Sequence, residues 1–151
     1  MRAKMFLLAA VLMAAAALGA CSAQQPDWSI AVVGAEKTEF TSADYAKLGA
    51  VTVEATLKTK DGTMKTQKYE GVLLGDVIEY LGAAEYVSVT VEATDGYAKD
   101  YTSGIADDPL TILAVKADGQ LLGDAGPVES VAGGQTGNMW IKSVSKITVN
   151  K

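Results

Sequence analysis

The sequence contains no histidine, a single cysteine (Cys21) and a single arginine (Arg2). Past residue 21 there is therefore no thiol, no imidazole and no guanidinium. Ser-His-Asp and Cys-His catalysis are excluded, because the imidazole base they need is missing. Zinc, copper and haem sites built on Cys or His are excluded as well, as is bidentate guanidinium clamping of phosphate or carboxylate. No disulfide can form within the chain, although an oxidising compartment would permit one. Positive charge is also scarce: 13 Lys and Arg stand against 18 Asp and Glu, for a net charge of −5. Such a surface repels nucleic acid and anionic headgroups, so no nucleic-acid partner is expected. What remains is Lys, Asp, Glu, Tyr, Ser, Thr, Asn, Gln and backbone groups, an inventory that suits binding better than turnover.

The longest apolar run is at the N-terminus. Arg2 and Lys4 precede Met5 to Ala17, which is followed at once by Leu18-Gly19-Ala20-Cys21. A permanent membrane helix needs about 20 apolar residues, so the run fits a cleavable secretory signal instead. Leu, two small residues and Cys match the lipobox of bacterial lipoproteins, in which the cysteine becomes the acylated first residue. The expected organisation is a signal peptide over residues 1–20, lipidation of Cys21, a polar tether over 21–27 with Pro26, and one domain over 28–151. A lipid anchor on Cys21 would hold the protein stably on a membrane. The expected location is extracytoplasmic, either periplasmic or at the cell surface.

Within the domain, apolar and polar residues alternate over Val51 to Lys58 and again over Tyr86 to Ala93, the period-two signature of half-buried strands. Trp28 to Val33, Met64 to Tyr69 and Val144 to Val149 read as further strands, and Leu110 to Lys116 as a continuous, central one. Asp61-Gly62 and Asp118-Gly119 supply the positive φ angles of tight hairpin turns. Thr41-Ser42-Ala43-Asp44 has a hydroxyl cap and an acid in the first turn of a short helix. Leu74, Val77, Ile78 and Leu81 stand at helical spacing, with Gly82 placed to end the helix. Ala98 to Pro109 reads as a polar loop, and Gly123 to Asn138 as the longest irregular segment. The order is mixed α+β: mostly strands, with two or three short helices.

Five of these segments together resemble the sulfite oxidase-type molybdopterin-binding domain. They are Tyr69 to Gly82 (Tyr-Glu-Gly-Val-Leu-Leu-Gly-Asp-Val-Ile-Glu-Tyr-Leu-Gly), Asp95-Gly96-Tyr97, Ile112-Leu113-Ala114 with Asp118-Gly119 and Leu121-Leu122, Gly126-Pro127-Val128, and Trp140-Ile141-Lys142 through Ile147. The resemblance runs from about Val51 to Val149 and implies that family's mostly β fold. It also implies a cysteine about ten residues before the helix, ligating molybdenum, but Lys60-Asp61-Gly62-Thr63 stand there. Glu129 takes the place of the arginine expected after the Gly-Pro turn. The resemblance therefore points to a small, cysteine-free, pterin-binding branch of the fold.

A pterin is a flat ring with donors and acceptors along its edge, so its receptor needs an aromatic face and several amide or backbone groups. Two stretches offer them: Asp95, Gly96, Tyr97 and Tyr101, and Gln135, Thr136, Asn138, Met139 and Trp140. The resemblance implies that the two are walls of one cleft. Each has a plainer reading too, with Tyr97 as a strand-end anchor, Trp140 as core, and Lys142 laid over the sheet. The expected function is a membrane-anchored sensor or carrier for a pterin or similar planar ligand, with a pterin the one cofactor to expect. The alternatives are a ligand-free docking protein for an exported receptor or redox enzyme, and a molybdopterin-dependent oxidoreductase subunit.

Overall fold

The computed structural model describes residues 24–151; the expected signal segment and Cys21 lie outside them. Ten strands form two five-stranded sheets. The first has the order β2-β1-β10-β5-β6, built from β1 (Ser29–Val33), β2 (Glu39–Thr41), β5 (Ser88–Ala93), β6 (Ala98–Thr102) and β10 (Val144–Asn150). The second has the order β3-β4-β7-β8, from β3 (Val51–Lys58), β4 (Met64–Leu73), β7 (Thr111–Ala117) and β8 (Gln120–Leu121). The short β9 (Glu129–Ala132) shares the free edge of β7 with β8. All pairings are antiparallel except β1 with β10, where Ala31, Val32 and Val33 lie beside Lys146, Ile147 and Thr148.

Burial follows the period read from the sequence. In β5, Val89, Val91 and Ala93 are buried while Ser88, Thr90 and Glu92 are half-exposed, so one face meets the core and the other meets water. The first five residues of β7, Thr111 to Val115, are all buried, as a strand covered on both faces requires. Inward residues of both sheets, together with Leu74, Val77 and Ile78 from α2 (Leu74–Tyr80) and Leu81 just after it, form one contiguous core. Gly82, at φ +84°, lets the chain turn away after this helix. Leu81 then offers its carbonyl to the N–H groups of Glu36 and Lys37, tying the helix end to the β1–β2 turn.

Two segments differ from the reading as loops. Ala98 to Pro109 contains β6 and a one-turn helix, α3 (Ser103–Ala106). β6 is an edge strand whose only buried side chain is Tyr101, so almost no apolar residue marks it. Likewise, β9 lies inside the glycine-rich stretch 123–138. Its pairing with β7 buries all four of its residues, and tertiary contact supplies the order that four residues cannot signal alone.

At Gly71 the β4–β7 register shifts, and a Cβ there would sit 2.2 Å from the Leu113 carbonyl oxygen. Glycine is required by close approach of two backbones. The third short helix, α1 (Ser42–Tyr45), opens on a capping box: Thr41 Oγ1 accepts from the Asp44 N–H and Asp44 accepts from the Thr41 N–H. The Tyr80 hydroxyl donates to Asp44 at 2.6 Å, and Lys47 pairs with it at 3.0 Å. Led by the Tyr80 bond, these contacts hold the Asp44 carboxyl well below the usual carboxylate range, against the opposing effect of burial.

A carboxyl so depressed stabilises the fold above its ordinary pKa near 4, and that stabilisation drains away as pH falls further. Thermal melts at pH 7 and pH 3 are expected to show a smaller acid loss for Tyr80→Phe than for the wild type. Thr41→Ala, lacking the cap, is expected to cost about 1 kcal/mol at pH 7. An unchanged acid dependence in Tyr80→Phe would show that another carboxyl governs it.

Candidate functional site

Three hollows share walls and make one furrow. The first, about 650 Å3, lies between the β3–β4 hairpin (Leu57 to Lys60) and Tyr97, Thr136, Gly137, Asn138 and Trp140. A second, about 250 Å3, shares Leu57, Tyr97, Gly137 and Trp140 and adds Ala93, Asp95, Glu129 and Lys142. The third, about 500 Å3, shares Leu57, Glu129 and Lys142 and continues past Lys65, Gln67 and Tyr69 to the β7–β8 turn. The first and third hollows are in the size range that takes small ligands.

Local sequence explains each wall. At the hairpin tip Asp61 accepts from the Thr63 N–H at 2.9 Å and from the Thr59 hydroxyl, a side-chain-braced turn that presents Lys58 and Lys60. In the β5–β6 turn, Asp95 accepts from the Tyr97 N–H at 2.9 Å, and the Tyr97 hydroxyl donates to the Asn138 carbonyl at 2.6 Å. The Tyr101 hydroxyl lies 3.1 Å from Ser130 Oγ and donates to the Met139 carbonyl. The Trp140 indole N–H donates to the Ala132 carbonyl at 2.9 Å, and its ring meets Tyr69 edge-on at 5.6 Å. Three aromatic side chains thus pin the connection from β9 to β10. Gly137 completes the closure, since a Cβ there would stand 2.7 Å from Leu57 Cδ1.

Of the residues expected to bind a ligand, Asp95, Tyr97, Thr136, Asn138 and Trp140 line the furrow. Gly96, Tyr101, Gln135 and Met139 do not. Tyr101 is wholly buried and acts one layer back, through its bond to the Met139 carbonyl. Gly96 and Gln135 are in exposed turns beside the walls. The sequence alone assigns no ligand role to Leu57 to Lys60, Lys65, Tyr69 or Glu129. The hairpin tip is some eighty residues from Trp140 in sequence, and only the topology brings the two together.

Glu129 is the anomaly of the furrow. It is 5% exposed, yet it makes no ion pair or side-chain hydrogen bond among the described residues. Burial pushes its carboxyl up to about 7, with Lys142 and Lys65 pulling the other way. Burial likewise pushes the Tyr69 hydroxyl up to about 12, helped by Glu129 and Asp118.

The two sheets, the α2 junction and the furrow define a sulfite oxidase-type molybdopterin-binding fold. The chain belongs to the oxidoreductase molybdopterin-binding domain family, which it matches over residues 18–151. In structure it is similar to sulfane dehydrogenase SoxCD from Paracoccus pantotrophus, at a TM-score of 0.73 and 22% sequence identity. That likeness covers 82% of this chain and 38% of the other, so the chain spans well under half of its structural neighbour. No curated protein matches the sequence significantly.

A molybdenum ion held by a protein thiolate, as the resemblance implied, would need a soft side-chain donor, and the furrow offers none. Its side chains are aliphatic, aromatic, amine, carboxylate, hydroxyl and amide, and no three potential ligands among His, Cys, Asp and Glu converge among the described residues. Protein ligation of molybdenum in the usual manner does not fit this donor set. An organic heterocycle does fit it, because carboxylate, ammonium and backbone groups complement a polar ring edge.

Two outcomes follow. Tyr101→Phe strands the Met139 carbonyl and Ser130 hydroxyl in the interior and is expected to cost about 1–3 kcal/mol in urea unfolding. Because the raised Glu129 carboxyl binds its proton more tightly folded than unfolded, stability falls as pH rises from about 4.5 toward 7. Glu129→Gln is expected to flatten that decline in melts taken across the interval.

Proposed function

We propose that the protein is an extracytoplasmic, lipid-anchored binding module for a pterin or a closely related planar heterocycle, acting as sensor or carrier without covalent chemistry of its own. The observation that carries this reading is a furrow in which Trp140, Leu57 and other apolar surface lie beside lysine, carboxylate, hydroxyl and amide side chains, with no thiol, imidazole or guanidinium. Family membership supports a pterin as the class of ligand. The lipobox at Leu18 to Cys21 supports export and acylation. No helix among the described residues is long and apolar enough to cross a membrane.

A second reading, an oxidoreductase subunit, draws on the family description and on the likeness to part of a sulfane dehydrogenase chain. It fits the donor set less well, because the metal would have to find all its remaining ligands outside the protein.

The full chain, extracted from membranes in detergent, is expected to bind added pterin with quenching of tryptophan emission, and to contain far less than stoichiometric molybdenum after growth on molybdate. One molybdenum per chain would move the assignment to the enzyme. Failure to bind oxidised and reduced pterins alike would favour a docking role. Cys21→Ala is expected to abolish acylation, seen by mass spectrometry of the mature N-terminus, and to release the protein from the membrane fraction.

A further inference from the structure

A further hollow, of about 410 Å3, lies where the chain enters the domain. It is lined by Val115, by Leu121, Leu122 and Pro127 from the β7–β8 hairpin and the turn after it, and by Gln25 and Pro26 of the tether. These side chains are nearly all apolar, and Leu121 is 38% exposed. Gln25 is the exception, for its Nε2 is buried and has no hydrogen-bond partner among the described residues. The place thus offers apolar surface and one unused donor.

Cys21 stands four residues before Gln25, a span that reaches at most about 14 Å when fully extended. An acylated Cys21 is held where acyl chains meet headgroups, and the headgroup layer is only about 5–8 Å deep. The hollow that Gln25 lines is therefore kept at the membrane surface, whatever path the intervening residues take. We infer that this face of the domain is a membrane-contact surface, with the hollow open to the bilayer and taking an acyl chain of a bilayer phospholipid. Leu121 and Pro127 enter the headgroup layer, and Gln25 Nε2 donates to a lipid ester carbonyl. Burying exposed leucine there is favourable. No lysine lines the hollow and Asp27 does, so apolar contact holds this face, and anionic headgroups find no attraction in it. Leu121 and Leu122 also border the 500 Å3 hollow, which places that end of the furrow beside the membrane.

This assignment rests on the acylated anchor of the proposed function and is independent of the furrow's ligand. The test uses the full acylated chain in phosphatidylcholine nanodiscs. Once Cys21 is a thioether the chain has no free thiol, so Leu121→Cys and Val87→Cys each introduce a single site for an NBD fluorophore. Val87 is 69% exposed and bonds Asn150 at the end of β10 opposite to the start of β1. One nitroxide quencher is carried on a lipid acyl chain and another is dissolved in water. The label at 121 is expected to lose most of its emission to the lipid-borne quencher and little to the water-borne one, and the label at 87 to show the reverse. A label on Pro127→Cys is expected to behave like that at 121, and to return to the water-borne quencher when Leu121→Asp is added.

Equal exposure of positions 121 and 87 to the water-borne quencher, in protein whose mature N-terminus carries lipid by mass spectrometry, overturns the contact surface and leaves the anchor standing. Shielding of position 121 from both quenchers overturns it too, because protein and not lipid then covers the hollow. A chain that is neither acylated nor bound to the nanodiscs overturns the anchor and this assignment together.

Discussion

A strand buried on both faces must place every backbone N–H and carbonyl in a ladder, because no water reaches it. In this protein that strand is β7, and the requirement shapes much of what surrounds it. One edge is taken by β4, which can draw close at the register shift only because residue 71 has no side chain. The other edge is divided, β9 covering Thr111 to Ala114 and β8 covering Lys116 and Ala117. From β4 hangs the hairpin that forms one wall of the furrow. From β9 comes Glu129, and from the chain that follows come Gly137, Asn138, Trp140 and Lys142. Those segments, with Asp95 and Tyr97 of the β5–β6 turn from the other sheet, enclose the furrow.

Much of the fold was legible because its strands are half-buried. The alternation in Val51 to Lys58 and in Ser88 to Ala93 reports directly which face meets water, and the unbroken run in β7 reports that neither does. The Asp-Gly pairs and the Thr41 cap act within a few residues of themselves and could be read locally. β6 and β9 could not. An edge strand whose one inward residue is Tyr101 shows no period, and Glu-Ser-Val-Ala among glycines becomes a strand only when β7 is there to pair with it.

The candidate site divides along the same line. Aromatic and amide residues near Tyr97 and Asn138 stood out by composition, and the two stretches do meet, joined by the Tyr97 hydroxyl. The opposite wall, Leu57 to Lys60, carries no chemical mark of its own; it matters because the β3–β4 hairpin reaches the β9–β10 connection. Glu129 was visible only as a substitution for arginine. That the exchange places a largely buried acid on the furrow wall follows from the pairing of β9, which a list of motifs does not contain.

The parallel pair β1–β10 has a kinetic meaning. β10 comes last in chain order yet stands in the middle of its sheet, with β1 on one side and β5 on the other. Until it arrives, β1–β2 and β5–β6 are separate two-stranded ribbons, and such ribbons are marginal in water. Closing that sheet joins residues more than a hundred positions apart, a high contact order that slows folding. In a nascent chain of this topology that sheet stays open until nearly all of the chain has left the ribosome.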